Sequence, residues 1–247
     1  QRLAATSRAR GTRRDGRHEA ELLERRRLAE ELSVLRFRKF VSRGRALRRE
    51  QLRSMAMSVL GNGLLKAEHY EDALSVKEAE LTVQRRYGVS ESNMLIMQSN
   101  LANTYEMLGR LEQCLPMRQD VYLGRLKLNG EEYEDTLVAA NNYASSLNRL
   151  QRFNEAKSLL RKTMPVARRV LGENHNITLT MRWAYARTLY RAEGATLDDL
   201  REAVTTLESV AKSWKRVLGA AHPDTSEVQS ALAFARNKLA RAAAAAA

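Results

Sequence analysis

The sequence predicts an all-α chain, an α-solenoid of stacked antiparallel helix hairpins, and three observations carry that expectation. The composition comes first. With three prolines, twelve glycines and 6% aromatic residues in 247, beside abundant Ala, Leu, Arg and Glu, the chain favours helix over strand, because these side chains lose little rotamer freedom in a helix. Glycines then recur at Gly88, Gly130, Gly172 and Gly219, spaced 42, 42 and 47 residues apart. Finally, two series of small residues keep step with them: Gly61, Ala102, Ala144 and Ala186, then Ala73, Cys114, Ala156 and Ala203. Self-similarity at such a period is the signature of a repeat architecture.

Each unit reads as two helices. In the first helix, helix A, the small residue follows Leu60, Leu101, Tyr143 or Tyr185 and precedes, by three positions, Leu64, Tyr105, Leu147 or Leu189. That spacing lines one helical face. A break near Gly109-Arg110 or Gln151-Arg152 turns the chain back into helix B, whose small residue lets helix A approach closely. The periodic glycine then suits an αL helix stop. This places hairpins at 53–93, 94–135, 136–177 and 178–224, with a lengthened turn near Glu193 to Asp199 in the fourth. A capping helix follows at 225–240, for which Thr225 is the expected N-cap. Residues 1–52 form a basic arm and long helix, residues 53–240 the solenoid, and residues 241–247 an alanine tail of uncertain identity.

The large-small-large pattern of helix A, followed by a small residue in helix B, resembles the tetratricopeptide repeat. The repeats of about 42 residues look like those of kinesin light chains. The residues that carry this resemblance are Asn141-Asn142-Tyr143-Ala144, Leu171-Gly172 with His175, Leu218-Gly219 with His222-Pro223-Asp224-Thr225, and Pro116 early in helix B. The resemblance covers residues 53 to 240 and implies a concave groove lined by helix A. It also implies a turn-packing role for His175 and His222. On the family pattern, the groove takes Asn103, Asn141, Asn148, Arg149, Arg187, Arg191, Asn237 and Lys238. Asn62, Lys66, Glu106, Trp183 and Tyr190 lie on the same face. Asparagine presents both a donor and an acceptor to an extended peptide backbone. Arginine selects carboxylates through forked, charge-assisted bonds.

Charge is concentrated at the N-terminal end. Residues 1–51 hold sixteen Lys or Arg against seven Asp or Glu, a net of +9 out of the chain's +13. Arg13, Arg14, Arg25, Arg26 and Arg27 are its clusters, suited to phosphate backbones, anionic lipid heads or acidic proteins. Base stacking is poorly served, because only Phe37 and Phe40 supply aromatic rings. The first residue is Gln1 rather than Met, as expected where a leader or a disordered start is missing from the sequence.

Enzymatic chemistry finds no support in the pattern. There is no phosphate-binding loop, no dinucleotide glycine motif and no serine nucleophile elbow. His18, His69, His175 and His222 are too dispersed to converge on a metal, and no cofactor is expected. Cys114 falls on the small position of helix B, where a thiol packs as a compact apolar group. A single cysteine points to an intracellular compartment, cytoplasm or an organelle interior. No apolar run is long enough to span a bilayer.

The function these observations imply is a non-enzymatic protein–protein interaction scaffold, a structural or adaptor subunit of a larger assembly. It would bind an acidic partner segment in its groove. The alternative is an RNA-contacting structural subunit of a ribonucleoprotein, reached through the basic arm.

Overall fold

The structure is a computed structural model that describes Glu24 and residues 48–246. The chain divides into two units, residues 1–56 and 57–247. In the first, the described residues are helical, and Ser54 is buried. Arg13, Arg14, Arg25, Arg26 and Arg27 lie outside the described residues, as does most of the expected basic helix.

The second unit begins with α1, residues 57–66. There follow α2 (Tyr70–Tyr87), α3 (Glu91–Met107), α4 (Leu111–Asn129), α5 (Glu134–Arg149), α6 (Phe153–Leu171), α7 (Asn176–Arg191), α8 (Leu197–Val217) and α9 (Pro223–Ala246). No strand occurs among the described residues. From α2 onward each helix packs on the next, and α7 also touches α5 and α9. Helices α5, α7 and α9 thus lie side by side along one surface, the arrangement of a helical-hairpin solenoid.

The small residues sit where close helix contact demands them. Ala102, Ala144 and Ala186 of the odd-numbered helices and Ala73, Cys114, Ala156 and Ala203 of the even-numbered helices are all fully buried. Around them pack Leu101, Leu137, Leu147, Leu160, Leu179, Leu189, Leu200 and Leu207. The largest apolar cluster runs from Leu137 to Ala235 over α5 to α9, while Leu74, Leu81, Leu101 and Tyr105 anchor a smaller one over α2 to α4. Trp214 of α8 is buried in the larger cluster.

Three of the turns from an odd to an even helix are one device. Arg110 N–H donates to Tyr105 O at 2.9 Å, Arg152 N–H to Leu147 O at 2.9 Å, and His69 N–H to Leu64 O at 2.9 Å. Bonds spanning five residues, closed by a left-handed residue, form a Schellman motif. That residue is Glu68, Gly109 or Gln151, with φ of 62°, 72° and 58°. These are the breaks the sequence located at Gly109-Arg110 and Gln151-Arg152.

Four expectations need correction. The long fourth unit does not put all its extra residues in one turn: the α7–α8 connection is Ala192 to Thr196, and α8 itself is longer, 21 residues against 19 in α6. Thr225 is not an N-cap. The helix starts at Pro223, whose fixed φ and missing N–H suit the first helical position, and His222 Nδ1 accepts the Asp224 N–H at 3.2 Å instead. His175 plays the same part for α7, accepting from Ile177 N–H at 3.4 Å. The periodic glycines have positive φ, and Gly88 has αL geometry, but Gly130 and Gly172 are extended at ψ 175° and 163°. Finally, α9 does not stop near residue 240 and runs through the alanines to Ala246.

Candidate partner-binding groove

The exposed edges of α3, α5, α7 and α9 carry the residues assigned to the groove, and the structure sorts them into two groups. Asn103, Asn148 and Lys238 each hydrogen-bond within the chain. Asn103 Oδ1 accepts from Arg118 Nη2 at 2.5 Å. Asn148 is 3% exposed; its Nδ2 donates to Ala184 O at 3.2 Å and its Oδ1 accepts from Thr188 Oγ1 at 2.8 Å. Lys238 Nζ donates to Tyr190 O at 2.7 Å and so closes the C-terminal end of α7. A cation there complements the helix dipole. Asn148 departs from the sequence expectation for a physical reason, since its amide is buried and engaged at both ends, while Asn103 is exposed and keeps its Nδ2 donors.

Asn141, Arg149, Arg187, Arg191 and Asn237 form the second group. Asn141 is half-buried, and its Oδ1 is buried without a hydrogen-bond partner. Asn237 is exposed. Arg149 donates through Nη1 to Glu106 Oε1 at 2.8 Å, which leaves its other N–H groups available. Arg187 lies over the Trp183 ring, 5.4 Å from its centroid, and its buried Nε has no partner. Burial is the main cause that pushes the Arg187 guanidinium below its ordinary pKa, with the neighbouring Arg191 adding to it. Arg149, Arg187 and Arg191 line one open cavity of about 350 Å³ together with Asn148, Gln151, Phe153 and Glu193.

Behind this row stands a charge relay that the sequence reading missed. Arg118 of α4 is almost wholly buried and donates through Nη2 to Glu106 Oε2 at 2.8 Å, while Arg149 holds the other Glu106 oxygen. Burial alone would raise the Glu106 pKa, but the hydrogen bonds from Arg149 and Arg118 outweigh it and hold the carboxyl below its ordinary value. One carboxylate thereby ties α3 to both α4 and α5. An earlier counterpart is Lys77 of α2, buried, with Nζ donating to Asn62 Oδ1 at 2.7 Å. Desolvation lowers the Lys77 pKa. A signal for both existed: Asn62 and Asn103 are each followed fifteen residues later by a cation, Lys77 and Arg118.

Cys114 is fully buried with Sγ 3.7 Å from Ser146 Oγ, so no substrate reaches it. Among the described residues no three of His, Cys, Asp and Glu gather as metal ligands. No helix among them is long and apolar enough to cross a membrane.

Residues 135–196 match the tetratricopeptide repeat family. Among solved structures, the chain is similar to a Podosopora anserina protein of kinesin light chain type with nearly identical TPR-like repeats. The TM-score is 0.62 at 23% identity, over 76% of this chain and 88% of that one. A substituted form of the same protein gives a TM-score of 0.64 at 23% identity, over 76% of this chain and 87% of that one. BtubC (BKLC) from P. vanneervenii gives 0.51 at 15% identity, over 75% of this chain and 79% of that one. No curated protein matches the sequence. Tetratricopeptide arrays generally serve protein–protein interaction on the extended surface that stacking creates. Residues 135–196 are thus similar to the tetratricopeptide repeat, and the fold of the array is like that of kinesin light chain-type repeats.

Proposed function

We propose that the chain is a non-enzymatic scaffold, an adaptor or structural subunit of a larger assembly, and that it holds an acidic, extended segment of a partner against α5 and α7. One observation supports this above the rest: Arg187 and Arg191, four residues apart on α7, have no hydrogen-bonding or ion-pairing partner among the described residues. Like charges at that spacing repel. A carboxylate from outside would relieve the repulsion and supply the acceptors that Arg187 lacks. Asn141 and Asn237 offer amides to the backbone of the same segment. Asn103, Asn148 and Lys238 act one step removed, by fixing the helices that present it.

The test is affinity capture from native lysate with the full chain and with an Arg149→Glu, Arg187→Glu form, at low and high salt, with and without nuclease. The expected result is a defined protein set that survives nuclease and is lost on charge reversal. Unchanged capture by the reversed form would remove the groove from the account. Capture that vanishes with nuclease would instead favour a ribonucleoprotein role for residues 1–51.

A further inference from the structure

The arginines of the repeats are almost all engaged. Between residues 91 and 222, Arg110, Arg118, Arg125, Arg149, Arg152, Arg168, Arg169, Arg182 and Arg201 pair with carboxylates. Arg161 donates to Tyr185 Oη, and Arg216 to Asn174 Oδ1. Among the described residues of that stretch, Arg187 and Arg191 are the two left over, and they share one cavity with Arg149. A chance surface would not be expected to leave its two uncommitted guanidiniums on one cavity, one of them, Arg187, half-buried over an aromatic ring.

We propose that Arg187, Arg191 and Arg149 form a receptor for a phosphorylated side chain, phosphoserine or phosphothreonine, carried on the partner's extended segment. The proposal rests on the groove reading and sharpens it. A carboxylate has two oxygens and one charge, enough for the fork of one guanidinium. A phosphomonoester carries roughly −1.5 to −2 charges and three acceptor oxygens, so it can bridge two or three guanidiniums at once. The open cavity of about 350 Å³ is roomy enough to admit such a group. The Arg187 guanidinium lies over the Trp183 ring, 5.4 Å from its centroid, a contact that limits the entropy lost on binding. Two chain carboxylates are near. Glu193 lines the same cavity but is exposed, and Glu227 acts on Arg187 only through its field; neither hydrogen-bonds the pair. Their donors therefore remain free, while Glu106 fixes Arg149 through one nitrogen.

The probes are fluorescent peptide pools with randomised flanks and one fixed centre: phosphoserine, serine or Glu-Glu. Anisotropy with the full chain should show the phosphoserine pool binding about tenfold tighter than the Glu-Glu pool, as forked pairs to a dianion imply. Arg187→Gln with Arg191→Gln should erase that preference. Arg187→Lys, which keeps the charge and loses the fork, should erase most of it. Arg85→Gln with Arg86→Gln, on the exposed end of α2, should leave it intact. Melting curves by circular dichroism confirm that each variant is folded. Equal affinity for the phosphoserine and Glu-Glu pools, both lost in the double variant, would overturn the phosphate receptor and leave the acidic groove standing. Binding of no pool would overturn both. A phosphoserine preference that survives in the double variant would place the anion elsewhere, as on residues 1–51, and overturn the proposal.

Discussion

Asn148 shows how one side chain can look like a binding residue and serve as a clamp. Both ends of its amide are committed to α7, to Ala184 O and Thr188 Oγ1. Asn148→Ala removes these bonds and leaves Thr188 and a carbonyl underserved in a buried place. It should cost about 1–3 kcal/mol, read by urea denaturation, while leaving partner capture intact at temperatures where the variant is folded. Glu106 gives a second test at this scale. Glu106→Gln leaves buried Arg118 without its counter-charge and should cost about 2 kcal/mol, a discounted value because Glu106 itself is partly exposed. The pH dependence has a fixed sign. The Glu106 carboxyl is depressed in the folded chain, so its contribution is full above the unfolded pKa of about 4.3 and is lost as pH falls through the lower folded value. The wild-type protein should lose this increment only below about pH 4, and the Gln variant should lack that part of the acid transition. Superimposable acid titrations of stability for the two would contradict the relay.

Among the elements, turns and caps carry the specificity. The Schellman turns require a left-handed residue, which Gly109 supplies freely and Gln151, at φ 58°, supplies against its preference. Gly109→Ala should cost about 1 kcal/mol, and Gln151→Gly should be neutral or stabilise by up to about 1 kcal/mol, both measurable by thermal melts. The start of α8 is a capping box between Thr196 and Asp199, with Asp199 also held by Lys157 Nζ at 2.6 Å. Thr196→Ala should cost about 1 kcal/mol. At this scale the sequence was most legible. Small residues at a fixed interval have one explanation, close helix contact, and Ala102, Cys114, Ala144, Ala156, Ala186 and Ala203 are all buried to completion. Helix ends were less legible, because Pro223 and His222 compete with Thr225 for the same cap and only the backbone decides. Which side chains of the helix A face are engaged within the chain was not legible. Whether Asn103, Asn148 or Lys238 is free depends on Arg118, Thr188 and Tyr190, residues 15, 40 and 48 positions away.

Across the whole array, stability should be uneven. In a repeat protein each unit contacts only its neighbours, so stability approximates a sum of local terms. The apolar cluster over α5 to α9 is far larger than that over α2 to α4, and α1 exposes Val59 and Leu60. Native-state hydrogen exchange should show α1 and α2 opening at lower free energy than α7 and α8. A single opening energy shared by α2 and α8 would contradict that gradient. The same method, applied to the full chain with and without a captured partner, tests the central claim most directly. The account predicts added protection in residues 141–149 of α5 and 183–191 of α7, and loss of that protection in the Arg187→Glu form. Protection confined to α4, α6 and α8, or to residues 1–51, would contradict it.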